Sequence, residues 1–277
     1  MIDYHIHTML CNHAGKPMEE YVNQAINIGL QEICFLDHLT MSKNGRDQSM
    51  SVRETGLYFQ AIQRLKYRYR DRIKIRAGLE VDFNPKYAEQ VKKVVRAFSF
   101  DVIGSAVHFI REKNIVSQRG RKPDQSDADF QELCLLYVEK MDRMMEHDYF
   151  DVVCHLDVMK KFGEPLPDRM DEKFDEILSK ISYKNLTVEL NTSGYDHPAA
   201  DGYPSFDLLK RCRAKGIEIT LASDAHHPES VGRHFDKALS DLSSSGYHRL
   251  AGFYRRQRYL ISINSKGDNT KNASLQL

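Results

Sequence analysis

Ile2-Asp3-Tyr4-His5-Ile6-His7 is a short, largely apolar stretch that carries two histidines one residue apart. In an extended strand alternate side chains share a face, so both imidazoles converge on one point at the end of the strand. Such a pair also arises by chance or as a strand cap. What the rest of the chain delivers to the same place decides its meaning.

Working outward, a loop through His13 and Gly15 leads to a helix opened by Pro17, with Glu19 and Glu20 in its first turn and Gly29 at its end. Glu32-Ile33-Cys34-Phe35-Leu36-Asp37-His38 follows, and its four consecutive apolar residues suit a parallel strand covered on both faces. It ends in Asp37 and His38. An amphipathic helix through Leu57, Ala61, Ile62 and Leu65 precedes a third strand over 73–79, which ends at Glu80. A helix opened by Pro85 precedes a fourth over 100–107, which ends at His108. A helix over 129–146 leads to a strand over 151–154 that ends at His155. Strands over 186–190, carrying Glu189, and 217–222, followed by Ser223-Asp224-Ala225-His226, come next. A helix from Glu229 and an apolar stretch over 250–254 complete the alternation, and the polar tail from Ser265 is expected to fray.

Seven or eight such units without a linker favour a closed α/β barrel over an open doubly wound sheet. The expectation is one barrel domain over 1–265 and a polar tail over 266–277. There is no Gly-rich nucleotide loop and no internal repeat. The 277 residues are 41% hydrophobic and 29% charged with a net charge of +1, which fits a soluble globular protein and disfavours nucleic acid as a partner. Five cysteines without a CxxC read as buried thiols in a reducing compartment. With no signal-peptide pattern and no apolar run able to span a bilayer, the expected setting is the cytoplasm, away from membranes.

Seven of the 12 histidines (His5, His7, His13, His38, His108, His155, His226), with Glu80 and Asp224, lie at or just beyond the C-terminal ends of these strands. In a parallel barrel those ends share one face. Singly, each could be a satisfied core histidine, or for Asp224 a helix cap. Together they would leave many buried polar groups without partners, and a cluster of metal ions supplies those partners at once. Imidazole with carboxylate suits zinc, iron or manganese, and the lack of clustered thiolates argues against a structural zinc ribbon or an iron–sulfur centre. The polar segment over 111–127 is either a substrate-covering insertion or a solvated loop.

Asp3-Tyr4-His5-Ile6-His7, Asp37-His38, Gly78-Leu79-Glu80-Val81-Asp82, Ser105-Ala106-Val107-His108-Phe109, His155-Leu156-Asp157, Glu189-Leu190-Asn191-Thr192-Ser193-Gly194 and Ser223-Asp224-Ala225-His226 together resemble the ordered motifs of the polymerase-and-histidinol-phosphatase (PHP) superfamily. The wording around 78–83 and 191–194 is most similar to its monofunctional L-histidinol-phosphate phosphatases. The resemblance implies a distorted TIM-like (β/α)7 barrel and three divalent ions (zinc, manganese or iron). His5, His7, Glu80 and Asp224 would hold the first, Glu80, His108 and His155 the second, and His13, His38 and His226 the third. One carboxylate shared by two cations would keep them about 3.5–4 Å apart, the spacing of two-metal phosphoesterases. Asp37 and Asp157 would orient imidazoles.

The implied reaction is hydrolysis of a small phosphate monoester, with L-histidinol phosphate as the expected substrate and Glu80, Asp224, His226 and Asp37 in the catalytic set. Either Asp224 or the Asp37/His38 pair would relay the proton. Relatives in that family commonly carry an arginine after Asn-Thr-Ser-Gly, whereas here Gly194 is followed by Tyr195-Asp196-His197-Pro198. The cations expected to take its place are Lys161, Arg233 and, in the insertion, Arg121 with Arg119 and Lys122; each could equally be a surface residue. Another phosphorylated metabolite or nucleic-acid ends are the alternative substrates, and a non-catalytic metal-binding module is the alternative class.

Overall fold

Branched apolar residues dominate the short segments that become strands, and amphipathic segments of ten or more residues lie between most of them. The computed structural model describes residues 1–117 and 126–263. Strands β1 (Ile2–Ile6), β2 (Glu32–Leu39), β3 (Lys74–Asp82) and β4 (Val102–Ala106) alternate with helices α1 (Met18–Asn27), α2 (Thr55–Arg68) and α3 (Ala88–Ala97). A small hairpin, β5 (Phe109–Ile110) and β6 (Lys113–Asn114), precedes α4 (Asp127–Met144), whose start is fixed by a capping box between Ser126 and Asp129. Then follow β7 (Val152–Val153), α5 (Met170–Tyr183), β8 (Thr187–Asn191), α6 (Phe206–Ala214), β9 (Ile219–Ala222) and α7 (Phe235–Ser244).

The main sheet is parallel throughout, in the order β1-β2-β3-β4-β7-β8-β9. Its two edges meet. His7 N–H donates to Ala225 O at 2.9 Å and Ala225 N–H to His5 O at 3.2 Å. Buried Asp3 completes the seam, accepting from Ser223 N–H at 2.9 Å, the Ser223 hydroxyl at 2.5 Å and Gly232 N–H at 3.0 Å. Burial raises its pKa to about 6, even though these donors pull it down. The result is a seven-stranded barrel with helices outside, as the sequence leads one to expect.

The apolar stretch over 250–254 departs from the expected alternation. It forms β10 (Arg249–Tyr254), which pairs antiparallel with β11 (Gln257–Ser262) outside the barrel sheet. This hairpin covers the N-terminal end of the barrel. Phe253 N–H donates to the Tyr4 hydroxyl, and the Tyr4 and Tyr259 hydroxyls and the Arg76 guanidinium surround the buried Glu32 carboxylate. Arg256 reaches Asp151 and the Tyr149 carbonyl. That end is therefore plugged, and the opposite face carries the strand ends named above. All five cysteines are buried and none forms a disulfide. No helix among the described residues is long and apolar enough to cross a membrane.

Replacing Asp3 by alanine strands the buried Ser223 N–H and the part-buried Gly232 N–H at the seam. The expected loss is about 2–4 kcal/mol of unfolding free energy, read as a lower urea midpoint with an unchanged slope.

Candidate metal centre

Glu80 faces inward near the end of β3 and is almost completely buried. Its Oε1 lies 2.8 Å from His155 Nε2 and 3.3 Å from His108 Nε2, and those two nitrogens are 3.2 Å apart. Its Oε2 lies 2.5 Å from His38 Nδ1, 3.4 Å from His5 Nε2 and 3.9 Å from His7 Nε2. His7 Nε2 is also 3.0 Å from Asp224 Oδ1. One carboxylate thus faces two groups of imidazoles, one at each oxygen. Nearer the mouth, His13 Nε2 and His226 Nε2 are 2.9 Å apart. His38 stands between this outer pair and Glu80, with its ring 5.3 Å from that of His13 and 4.3 Å from that of His7.

Burial by itself would raise the Glu80 carboxyl, but the charges of His38, His5 and His108 outweigh it and hold the group well below the usual carboxylate range. Asp224 is held low in the same way, against burial, by His5 and His7. Burial also pushes His5 and His7 towards neutrality; Glu189 and Glu80 beside the first, and Asp224 and Asp37 beside the second, override it and hold both well above the usual histidine value. His5, His7 and His108 are raised by these carboxylates, whereas burial pulls His38 down to about 4. A divalent cation supplies the same positive charge while leaving the imidazoles neutral, the form in which they bind metal.

Orphaned atoms point the same way. His5 Nε2 and His155 Nδ1 are buried with no hydrogen-bond partner, and the first faces Glu80 Oε2 across 3.4 Å. Ligand atoms of His5, His7 and Asp224, and separately of His7, His38 and His226, lie within 4.8 Å of one another. The donor set is imidazole and carboxylate, and it fits divalent metal ions.

The support beneath these ligands differs partly from expectation. Asp37 does orient an imidazole: its Oδ1 is 3.2 Å from His7 Nδ1 and accepts His38 N–H at 2.8 Å, and its Oδ2 accepts Thr8 N–H at 3.1 Å. Asp157 does not hold His155. Its Oδ2 accepts Ser205 N–H at 2.9 Å and pairs with Lys160 at 2.9 Å, because the chain after β7 turns it towards the start of α6. Glu189, which sequence reasoning left without a role, supports the His5 imidazole and the main chain at His155. Glu189 Oε2 is 2.7 Å from His5 Nδ1, and its Oε1 accepts His155 N–H at 3.2 Å and Asn191 Nδ2–H at 2.8 Å. Asn191 Nδ2 also donates to Asp224 Oδ2 at 3.1 Å. The buried Cys11 thiol, likewise unassigned before, accepts Ala14 N–H at 3.3 Å, and its sulfur lies within 4.8 Å of ligand nitrogens of His13 and His226.

The cluster opens into a cavity of about 410 Å³ lined by His13, His38, Glu80, His108, His155, Asp224 and His226, and also by Lys161. Arg233 is engaged elsewhere. Its Nε donates to Ser223 O at 2.9 Å, Nη2 to Asp224 O at 3.0 Å, and Nη1 pairs with Asp196 at 3.0 Å. It thereby clamps the backbone on which Asp224 adopts a left-handed φ of 54°; His155 is also left-handed at 28°. Arg119, Arg121 and Lys122 lie outside the described residues.

The PHP domain model matches residues 3–193 of this chain. The chain belongs to the PHP domain family. A relative in Deinococcus radiodurans, named "Probable histidinol-phosphatase", is 29% identical over 259 residues, covering 93% of this chain and 98% of its own. The "Histidinol-phosphatase" of Lactococcus lactis is 28% identical over 258 residues, covering 91% and 94%. A crystal structure of the histidinol phosphate phosphatase of Lactococcus lactis with zinc, L-histidinol and phosphate superposes with a TM-score of 0.80 at 26% identity, covering 93% of this chain and 98% of that one.

For this PHP domain the role of Glu189 is open to a direct check. Glu189→Gln keeps the shape but weakens the acceptor behind His5, so metal affinity should fall about 10–100-fold. Competition with a chromophoric chelator, alongside circular dichroism to confirm folding, measures it.

Proposed function

We propose that this protein is a metal-dependent phosphatase that hydrolyses L-histidinol phosphate to L-histidinol and phosphate, a step of histidine biosynthesis. The observation that carries the reading is Glu80, which presents one oxygen to each of two imidazole groups at the floor of an open cavity. Similarity along nearly the whole chain to a phosphatase crystallised with zinc, L-histidinol and phosphate supports the substrate. Three divalent ions, zinc, manganese or iron, would be held by His5, His7, Glu80 and Asp224, by Glu80, His108 and His155, and by His13, His38 and His226. When bound, such ions lower the pKa of water and neutralise phosphoryl charge. Buried thiols without a disulfide support a reducing, cytoplasmic setting.

The remaining work belongs to the chain. Lys161 lines the cavity and would take a phosphoryl oxygen; burial lowers its pKa, with Asp224 opposing that shift and Arg233 adding to it. Arg233 acts by holding the Ser223 and Asp224 carbonyls, so Lys161 is the cation that replaces the arginine absent after Gly194. Asp224 and His38 both line the cavity, whereas Asp37 lies buried beneath His7 with both oxygens engaged, so of the two candidates for the proton the pair acts through His38 with Asp37 orienting the imidazoles. His226, part-exposed at the mouth with its Nε2 facing that of His13, would serve as a ligand of the third ion.

Metal-loaded protein should release phosphate from L-histidinol phosphate with kcat/KM well above that for phenyl phosphate. Turnover of the aryl ester alone would keep the reaction and refute the substrate. Lys161→Ala should lower kcat/KM roughly 10–100-fold, the loss of a charged hydrogen bond to phosphate, whereas an equal loss in Arg233→Lys with Lys161→Ala near wild type would reverse the two roles.

A further inference from the structure

A second cavity, of about 310 Å³, lies between the loop over 163–168, helix α5 and the start of α6, and shares no lining residue with the metal cavity. The turn Val158–Lys160 stands between the two. It is a 3₁₀ turn, in which residues three apart point the same way. His155, Val158 and Lys161 accordingly line the metal cavity, while Asp157 and Lys160 line the second. A space of this size takes a small molecule.

Its charge is unbalanced. Five carboxylates, of Asp157, Glu164, Asp168, Asp171 and Asp207, line it against two cations, Lys160 and Arg211. Both cations are already held. Lys160 Nζ lies 2.9 Å from Asp157 Oδ2, 3.0 Å from Asp201 Oδ2 and 2.7 Å from Gly202 O, and Arg211 spans Asp171 at 3.0 Å and Asp175 at 2.9 Å. Asp157 is completely buried, yet its Oδ1 has no hydrogen-bond partner. A carboxylate oxygen in such a place calls for a donor. Asp168 and Asp207 are exposed, the second paired with exposed Lys210 at 3.3 Å, a contact that water screens. Buried Met170, Phe174 and Leu208, with Leu166, give the cavity apolar walls. An inorganic cation would leave those walls bare, whereas a chain of methylenes covers them.

We propose that this cavity is a binding site for a short aliphatic diamine. One ammonium donates to Asp157 Oδ1, the methylenes lie against Phe174 and Leu208, and the other ammonium reaches the exposed carboxylates of Asp168 and Asp207. A dication of this kind offsets most of the carboxylate excess. The site shares nothing with the phosphatase reading above and stands or falls without it. Asp157→Asn removes the charge at the buried end. Asp168→Asn combined with Asp207→Asn removes it at the open end with little risk to folding, because both side chains are exposed.

The measurement is isothermal titration calorimetry of the metal-loaded, full-length protein with putrescine. Its uncharged counterpart 1,4-butanediol and its singly charged counterpart n-butylamine are titrated at matched ionic strength. Putrescine is expected to bind saturably at one site per chain, n-butylamine more weakly and butanediol not at all. Asp157→Asn should weaken putrescine binding about tenfold, the loss of a charged hydrogen bond. The double variant Asp168→Asn with Asp207→Asn should weaken it about fivefold, as the loss of two screened charges does. If circular dichroism shows that Asp157→Asn does not fold, the double variant alone decides. The site is refuted by any of three results: no saturable heat with putrescine, butanediol binding as tightly as putrescine, or a deciding variant whose affinity stays within about twofold of wild type, the scatter expected of an uninvolved surface charge.

Discussion

A carboxylate buried at the middle of a barrel is the constraint on which the rest of this molecule turns. Isolated in a protein interior, an ionised Glu80 would cost several kcal/mol. Here five imidazoles, from His5, His7, His38, His108 and His155, come within 4.0 Å of it. They arrive from β1, β2 and the segments that follow β4 and β7, so their convergence depends on register. His38 and Glu80 are direct neighbours across β2 and β3. A slip of one residue would turn every inward side chain outward. The Asp3 seam and the plugged N-terminal end hold the register from outside the site.

Much of this was legible in the sequence because parallel strands in a barrel read as apolar runs, and each run ended in a side chain fit for a metal. That pattern pointed to the shared face and to nine ligand candidates, which the fold brings together around one cavity. The stretch over 250–254 misled because an apolar run signals a strand but not its partner. The closing bonds between His5, His7 and Ala225 leave β1 no free edge, so the last strands pair with each other and cover the base.

Glu189 was a different kind of omission. The alternation that drew attention to His5 and His7 also puts Thr187, Glu189 and Asn191 on one side of β8, all buried, and a buried acid in an apolar strand demands a partner. The signal was present and went unused. For Asp157 the only local signal was Lys160, three residues on; the other partner that sets its direction, Ser205, is 48 residues away. The position of the β5–β6 hairpin was likewise hidden, since it depends on Gly45 and Asn44 in a separate loop.

The left-handed backbone at His155 and Asp224 separates durability from chemistry at two places in the fold. At such angles glycine is the least strained residue, and an L side chain adds a steric cost of about 1–3 kcal/mol. Judged by backbone comfort alone, both positions should drift to glycine. Histidine and aspartate persist there only while something rewards their side chains, so laboratory selection for heat resistance alone, without selection for turnover, would erode the catalytic floor first at these two residues.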